Sequence, residues 1–160
     1  MRKQMTGLVM SREAENRQAE EDLHWLDIDA IATAEISSEE AAHPFESALV
    51  AGDGGWKAAE NGEQRLKLLF DTPQHLTKIR LIFQEDEQER IQEYVLRWSP
   101  DGNIYHDIVR QQYNFSSPDS TRQQNTYNVH LLAVTGLELH IVPDISRGNA
   151  RASLTEWRIA

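Results

Sequence analysis

The chain has 160 residues, of which 39% are hydrophobic and 26% are charged. This is the composition of a water-soluble globular protein and the length of one domain with a buried core, while the formal net charge of −10 argues against nonspecific binding to nucleic acid or anionic membranes. The lack of cysteine excludes disulfides and thiolate metal sites, and no apolar run approaches the roughly 18 residues of a transmembrane helix.

The N-terminal part of the chain differs in pattern from the rest. Residues 12–26 are rich in helix-forming residues and contain neither Gly nor Pro, which predicts a short helix or tail ending near Asp27. Trp25 and Leu26, at the end of this segment, form an apolar face that can dock on the body of the protein. An isolated helix of this length would be marginally stable in water without such docking.

We therefore divide the chain into an N-terminal tail or helix, residues 1–27, and a folded domain, residues 28–160. The basic start of the chain is followed by an apolar piece, GLVM, far shorter than the apolar core of a secretory signal. This favours a cytoplasmic protein. A secreted protein whose leader has been removed is the alternative.

Five short runs within the domain alternate apolar and polar residues. A period of two indicates half-buried β-strands. The apolar members are Leu66, Leu68 and Phe70; Ile79, Leu81 and Phe83; Tyr94, Leu96 and Trp98; Tyr127, Val129 and Leu131; and Leu137, Leu139 and Ile141. The turn signals DTPQ, SPDG, SSPDS, VTG and VPD lie between the runs, and no helical pattern intervenes. These features predict an all-β antiparallel sandwich.

The stretch SPDG, residues 99–102, predicts a hairpin. Pro at its second position and Gly at its fourth favour a type I turn. Trp98 comes just before the turn and Tyr105 just after it, so both are expected to anchor the end of the hairpin by packing.

Four segments resemble the discoidin, or F5/8 type C, family in their order and spacing. They are ATAEISSEE, ALVAGDGGWKAAE, YVLRWSPDGNIYHDIV and ARASLTEWRI, which together span about residues 30–160. The resemblance implies a galactose-binding-like jelly-roll sandwich of about eight antiparallel strands. It also implies a non-catalytic binding role. Members of the family usually bind glycans, and some bind lipid head groups or proteins, through loops at one end of the sandwich.

The same resemblance raises the question of a structural calcium ion. Asp53 and Glu156 occupy the positions at which family members often hold one. Calcium takes about six to eight oxygen ligands, many of them from a shaped loop. Here Asp53 and Gly54 are followed at once by Gly55 and Trp56, so the loop looks too short. We therefore expect no metal and no other cofactor.

Motifs for catalysis are missing from the sequence. Its six histidines are scattered without the HExxH spacing of a zinc site, and there is no GxSxG elbow. GDGG lacks the Lys and Ser/Thr of a phosphate-binding loop. We expect that the protein is not an enzyme.

The loops offer candidates for a binding site. Sugar sites combine aromatic faces with planar polar groups that bond hydroxyls. Arg147 and Asn149 lie in DISRGNAR between the last two predicted strands, where Gly148 permits conformations that present both side chains outward. His43 in EEAAHPFE and Arg90 in the acidic loop are expected to assist. The predicted ligand is a glycan or another small polar molecule.

A second class of function stays open at this point. The chain could instead be a protein–protein interaction or assembly domain with no sugar ligand, contacting its partner through the N-terminal segment and a sheet face. Sugar binding by a monomer would support the first class. A stable oligomer without sugar binding would support the second.

The predicted role of Arg147 can be tested by substitution. Arg147→Ala should weaken sugar binding by about 1 to 3 kcal/mol, the usual cost of leaving polar partners unpaired. Thermal stability should change little, because the loop is expected to be exposed. Titration calorimetry and a melting curve on the same sample measure both quantities. Unchanged binding, or loss of the fold, would make Arg147 a structural residue.

Overall fold

Residues 24–146 and 148–160 are described by a computed structural model of the chain. Most of the predicted N-terminal helix therefore lies outside the described residues. The elements are α1 Ile28–Ile31, β1 Ala32–Ile36, a 3-10 helix Phe45–Ala48, β2 Trp56–Asn61, β3 Gln64–Gln84, β4 Arg90–Ser99, β5 His106–Phe115, β6 Arg122–Val142, β7 Arg151–Leu154 and β8 Glu156–Ile159. No helix in the described part of the chain is long and apolar enough to cross a membrane.

The framework of the fold is an antiparallel ribbon made by β3 and β6, which have 21 residues each. The two strands pair on both sides of an irregular interval between Leu69 and Lys78, in which the register shifts. This interval contains DTPQ, whose Pro73 has no N–H to give to the ladder. The predicted turn is thus a bend within a paired ribbon, and the two halves of the ribbon lie in different layers.

The two layers are antiparallel sheets that face each other. One layer has the order β1–β3–β6–β4–β5 and uses the first half of β3 and the second half of β6. In the other layer, β8 pairs with the second half of β3, while β2 and β7 pair with each other beside it. The ring of Phe83 stacks on that of Tyr94 across the layers, with centroids 5.1 Å apart. The predicted eight-stranded sandwich is confirmed.

The core consists of the inward-facing residues of both layers. Most of the apolar positions predicted from alternation are fully buried, namely Leu66, Leu68, Phe70, Ile79, Leu81, Phe83, Tyr94, Leu96, Leu137, Leu139 and Ile141. Trp56 and Trp157 are the largest side chains in the core. Trp98 and Tyr127 are only partly buried and pack on its border.

A few polar groups bridge the layers inside the sandwich. The hydroxyls of Tyr94 and Tyr127 are hydrogen bonded to each other, and Asn125 Nδ2 donates to Tyr94 Oη at 2.8 Å. Burial raises the pKa of Tyr94 well above its ordinary value, and the Tyr127 hydroxyl adds to the shift. The phenol therefore stays neutral, which is how a buried hydroxyl avoids the cost of an isolated charge.

The N-terminal segment reaches the sandwich as extended chain. Residues 24–27 are not helical, so the predicted helix is wrong at this end. The Leu26 N–H donates to the carbonyl of Ile159 at 2.8 Å, and the ring of Trp25 lies 5.2 Å from the guanidinium of Arg80. The expected docking of the apolar residues occurs because the free edge of β8 offers main-chain acceptors that an extended segment can use.

The predicted hairpin joins β4 to β5 through residues 100–105. Its turn is held by side chains, since Ser99 Oγ accepts the Gly102 N–H at 2.8 Å and Asp101 Oδ1 accepts two further amides at 2.9 Å. These main-chain donors hold the pKa of the Asp101 carboxyl below its usual value. Gly102 takes a φ of +82°, which favours glycine.

The two aromatic residues of the hairpin pack in different places. The Trp98 ring contacts that of its cross-strand partner His106, with centroids 5.4 Å apart. Tyr105 lies against Gly136, where an added Cβ would come within 2.6 Å of the Tyr105 hydroxyl. Both residues therefore act as anchors for the hairpin end, as expected, and β6 requires a glycine where Tyr105 covers it.

Gly55, just before β2, provides a sharp test of packing. An added Cβ would lie 2.6 Å from the carbonyl oxygen of Leu154, and φ is +77°. Gly55→Ala should lower the free energy of unfolding by about 3 kcal/mol, from backbone strain and the clash together. Gly52 has the same φ of +77° with open space around it, so Gly52→Ala should cost only about 1 kcal/mol. Equal melting temperatures for the two variants would contradict the close approach of Gly55 to the Leu154 carbonyl.

Candidate functional site

The loops that could form a site gather at one end of the sandwich. We call this the loop end and define it as residues 37–55, 85–89, 116–121, 143–146 and 148–150. Main-chain hydrogen bonds join its segments, from the Glu85 N–H to the carbonyl of Thr121 and from the Ile145 N–H to that of Ile91, both at 2.8 Å. The folded ribbon places these connections together because both of its ends return to the same end of the sandwich.

A cleft of about 570 Å³ opens at the loop end. The β3–β4 loop forms one wall, and strands β2 and β7 form the floor and the other wall. Its polar lining comprises the carboxylates of Glu40, Glu85, Asp86 and Glu87, the cations Lys57 and Arg151, and the amides of Asn61, Gln84, Gln88 and Asn149.

Charge is divided between the two walls of the cleft. Asp86 and Glu87 lie on the β3–β4 loop, whereas Lys57 and Arg151 lie on β2 and β7. Arg151 is held in place, since its Nε donates to Asn61 Oδ1 at 3.3 Å and a terminal nitrogen lies 3.7 Å from a Glu40 oxygen. The side formed by β2 and β7 therefore offers the donors of Lys57 and Arg151 beside the Glu40 carboxylate, and the β3–β4 loop offers acceptors.

His43 lies beside the cleft and connects to it through Glu40. Its Nδ1 is 3.2 Å from one Glu40 carboxylate oxygen, while the other Glu40 oxygen faces Arg151. The loop that carries His43 is thus brought close to the start of β7, where Arg151 lies. His43 itself is not among the residues that line the cleft.

Asn149 lines the cleft and is exposed. Its loop is anchored at both ends, since Asp144 Oδ1 accepts the Ser146 N–H at 3.1 Å and the Ala150 carbonyl accepts the Gly62 N–H at 2.9 Å. Arg147 lies outside the described residues. Ligand binding by Asn149, His43 and Arg147 stays a prediction.

Arg90 requires a correction, because it was predicted to lie in the acidic loop and to assist ligand binding. It is the first residue of β4, and its side chain is fully buried. The guanidinium is occupied by Glu85, Gln92 and the Pro143 carbonyl at 2.8 to 3.0 Å. It lies beneath the cleft and does not line it. A side chain in this position cannot reach a ligand at the surface.

Asn149 is the one predicted ligand-binding residue among the described residues that line the cleft, so Glu40, Asn61 and Arg151 were not selected from the sequence. The pairing of Asn61 with Arg151 joins β2 to β7 across 90 positions of the chain. No local sequence pattern predicts a contact between residues this far apart in the chain. The one available signal was the position of Arg151, two residues after Asn149.

An aromatic platform is not exposed in the cleft. Trp56 is the one aromatic among its described lining residues, and it is fully buried, with its Nε1 donating to the Ser38 carbonyl at 3.0 Å. The described lining of the cleft therefore offers hydrogen-bonding and charged groups but no exposed aromatic ring.

A second depression, of about 240 Å³, lies on the outer face of the first layer. Its charged residues are already paired with neighbours, since Arg110 contacts Glu93 and Arg97 contacts Asp107. Hydrogen bonds from Gln112 and Arg110 hold the pKa of Glu93 below its usual value. These cross-strand pairs are typical of a solvated sheet face.

The calcium positions suggested by resemblance do not form a suitable donor set. Asp53 is exposed in a turn, with its N–H 3.4 Å from the Val50 carbonyl, and Glu156 lies 3.8 Å from Arg158. Within residues 24–146 and 148–160, no three or more His, Asp or Glu side chains are arranged to hold a metal ion. Two carboxylates do not by themselves supply the about six to eight oxygen ligands that calcium takes, and the expectation that no ion binds stays a prediction.

The chain is similar to known proteins in its fold. No protein-family model matches it, and no curated protein matches its sequence. The family 32 carbohydrate-binding module of Clostridium perfringens NanJ, solved in complex with galactose, superimposes with a TM-score of 0.62 at 15% identity. The match covers 84% of this chain and 96% of that one.

Two further modules of the same family match equally well. CpGH89CBM32-5 from Clostridium perfringens, in complex with GalNAc-β-1,3-galactose, has a TM-score of 0.62 and 18% identity over 85% of this chain and 99% of its own. The module of AlyQ, in complex with 4,5-unsaturated mannuronic acid, has a TM-score of 0.62 and 14% identity over 86% and 98%. This chain therefore has the galactose-binding-like fold that such modules share with discoidin domains.

Independence from calcium can be tested directly. A ligand that binds only the native state raises its stability by mass action. If calcium is not bound, EDTA should leave the melting temperature unchanged, and adding back excess Ca²⁺ should not raise it. A fall of several degrees with EDTA, reversed by Ca²⁺, would show that the loop of Asp53 does hold an ion.

Proposed function

We propose that this chain is a non-catalytic carbohydrate-binding module that takes a polar glycan into the cleft at the loop end. The observation that carries the proposal is the cleft itself, whose lining combines carboxylate acceptors with the donors of Lys57 and Arg151. A sugar ring presents hydroxyl groups on opposite edges, and each hydroxyl both donates and accepts. A ring seated between the two walls satisfies both of them.

Individual groups of the cleft suit this chemistry. Asp86 and Glu87 can each accept from neighbouring hydroxyls, and hydrogen bonds to charged groups are the strong ones. On the other wall, Arg151 offers a planar fork of donors, and Asn149 offers a donor and an acceptor together. Arg151 is already oriented by Asn61 and Glu40, so less side-chain freedom is lost when a ligand binds.

The structural neighbours support the same class of function. The three modules described above were solved with galactose, a GalNAc-containing disaccharide and an unsaturated mannuronic acid. Identities of 14% to 18% do not carry a specificity from one chain to another. We therefore infer the class, a glycan, and include these three sugars as probes. We also propose that the chain is related to discoidin domains in particular and that it has no catalytic activity.

Arg151→Ala tests the cleft against a matched control. Galactose, GalNAc-β-1,3-galactose and 4,5-unsaturated mannuronic acid are titrated into the parent protein by calorimetry. For a sugar that binds, Arg151→Ala should weaken binding by about 1 to 3 kcal/mol because its partners on the sugar are left unpaired. Arg110 on the outer sheet face is equally exposed, 56% against 55%, so Arg110→Ala should leave binding unchanged.

Two results would contradict the proposal. Equal weakening by both substitutions would place the sugar elsewhere. A parent protein that binds none of these sugars, and nothing on a glycan array, while forming a stable oligomer would favour the protein-interaction alternative.

A further inference from the structure

Arg90 contacts more segments of the loop end than a simple ion pair requires. Its Nε donates to Glu85 Oε1 at 2.8 Å, and one terminal nitrogen donates to Gln92 Oε1 and to the Pro143 carbonyl, both at 3.0 Å. The other terminal nitrogen lies 3.5 Å from Ser153 Oγ. The β3–β4 loop, β4, the β6–β7 loop and β7 thus meet at one guanidinium.

A fifth segment closes the arrangement. The guanidinium lies 4.7 Å from the centre of the Phe115 ring, at the end of β5, and that ring is fully buried. The Arg90 side chain is itself 0% exposed. A buried charge is tolerated only while its donors stay paired, so any movement that separates these segments leaves donors without partners.

The partners of Arg90 include both sides of the cleft. Glu85 belongs to the wall formed by the β3–β4 loop, and Ser153 belongs to the floor on β7. Pro143 begins the loop that carries Asn149. Arg90 contacts all three segments from inside the sandwich.

We infer that Arg90 is a positioning residue for the cleft, which sets the separation of its walls without touching the ligand. The inference concerns the architecture of the loop end, and it rests on the proposed function only where ligand affinity is concerned. It replaces the predicted role of Arg90 as a direct ligand contact with an indirect one.

The geometry requires arginine rather than a generic cation. Arginine has five donors in a rigid planar fork, whereas lysine has a compact ammonium group. Lysine can retain the contact with Glu85, but one ammonium cannot also reach Gln92, Pro143 and Ser153 in the observed directions. Arg90→Lys therefore keeps the charge and removes the connection between segments.

Hydrogen exchange, measured by NMR on the full chain, tests this inference without a ligand. In Arg90→Lys, the amides of Glu85, Glu87 and Ile145 should exchange at least about tenfold faster through local opening of the loop end. The amides of Asn103 and Ile104, held by Asp101 in the hairpin turn, should keep the rate of the parent protein. A melting curve checks that the fold is retained.

Arg97→Lys is the matched control. Arg97 lies on the same strand and also bonds two carboxylates, those of Asp107 and Glu138, but on the outer face. Its substitution should leave exchange at the loop end unchanged. If Arg90→Lys does not fold, Glu85→Gln removes one charge of the pair, retains an oxygen acceptor and is read out in the same way.

The possible results separate this inference from the proposed function. Parent-like exchange at the loop end in Arg90→Lys, or equal acceleration in Arg97→Lys, would overturn the role of Arg90. For galactose, we expect Arg90→Lys to weaken binding about tenfold or more, because polar contacts need placement to within about 0.5 Å. If the parent protein does not bind galactose or any other sugar, the proposed function fails while the exchange rates still decide the role of Arg90.

Discussion

The bend in the β3–β6 ribbon determines the rest of the architecture. The two 21-residue strands pair on both sides of the bend, and their register shifts there, where Pro73 cannot donate to the ladder. Because the ribbon folds over itself, one pair of strands supplies the centre of both layers. Its inner faces bury the alternating Leu and Ile residues, and its two ends return to the same side. The loops are gathered there as a consequence of this one bend.

Buried polar groups satisfy the hydrogen-bonding groups of the loops that gather at one end of the sandwich. Loop backbones and acidic side chains crowd together, and their hydrogen-bonding groups must be satisfied where water is excluded. The Arg90 guanidinium meets this need by contacting Glu85, Gln92 and the Pro143 carbonyl from within. Since an unpaired buried charge is costly, the same contacts restrict the loop end to one arrangement. Stability of the fold and the shape of the cleft are therefore linked.

The cleft has the chemistry of a polar binding site and not of a stacking platform. Its lining combines carboxylates with Lys57 and Arg151, and the one aromatic among its described lining residues, Trp56, belongs to the core. The same sandwich fold in family 32 modules carries bound sugars of several kinds. A conserved framework with different loop chemistry is how one fold serves many ligands, because the framework sets only where the loops meet.

The class of fold and most of its core could be predicted from the amino-acid sequence, since a period of two and the turn signals are local properties of β-strands. Leu66, Leu139 and their alternating neighbours are buried as predicted. The folded chain was needed to show that DTPQ is a bend within a ribbon, that Leu26 bonds the edge of β8, and that Arg90 is interior. It also decided that Arg151 meets Asn61 and Glu40. These features depend on contacts between segments that are far apart in the chain. A polar residue is the same letter in the sequence whether its side chain faces water or a partner in the interior, so the sequence does not predict which of the two occurs.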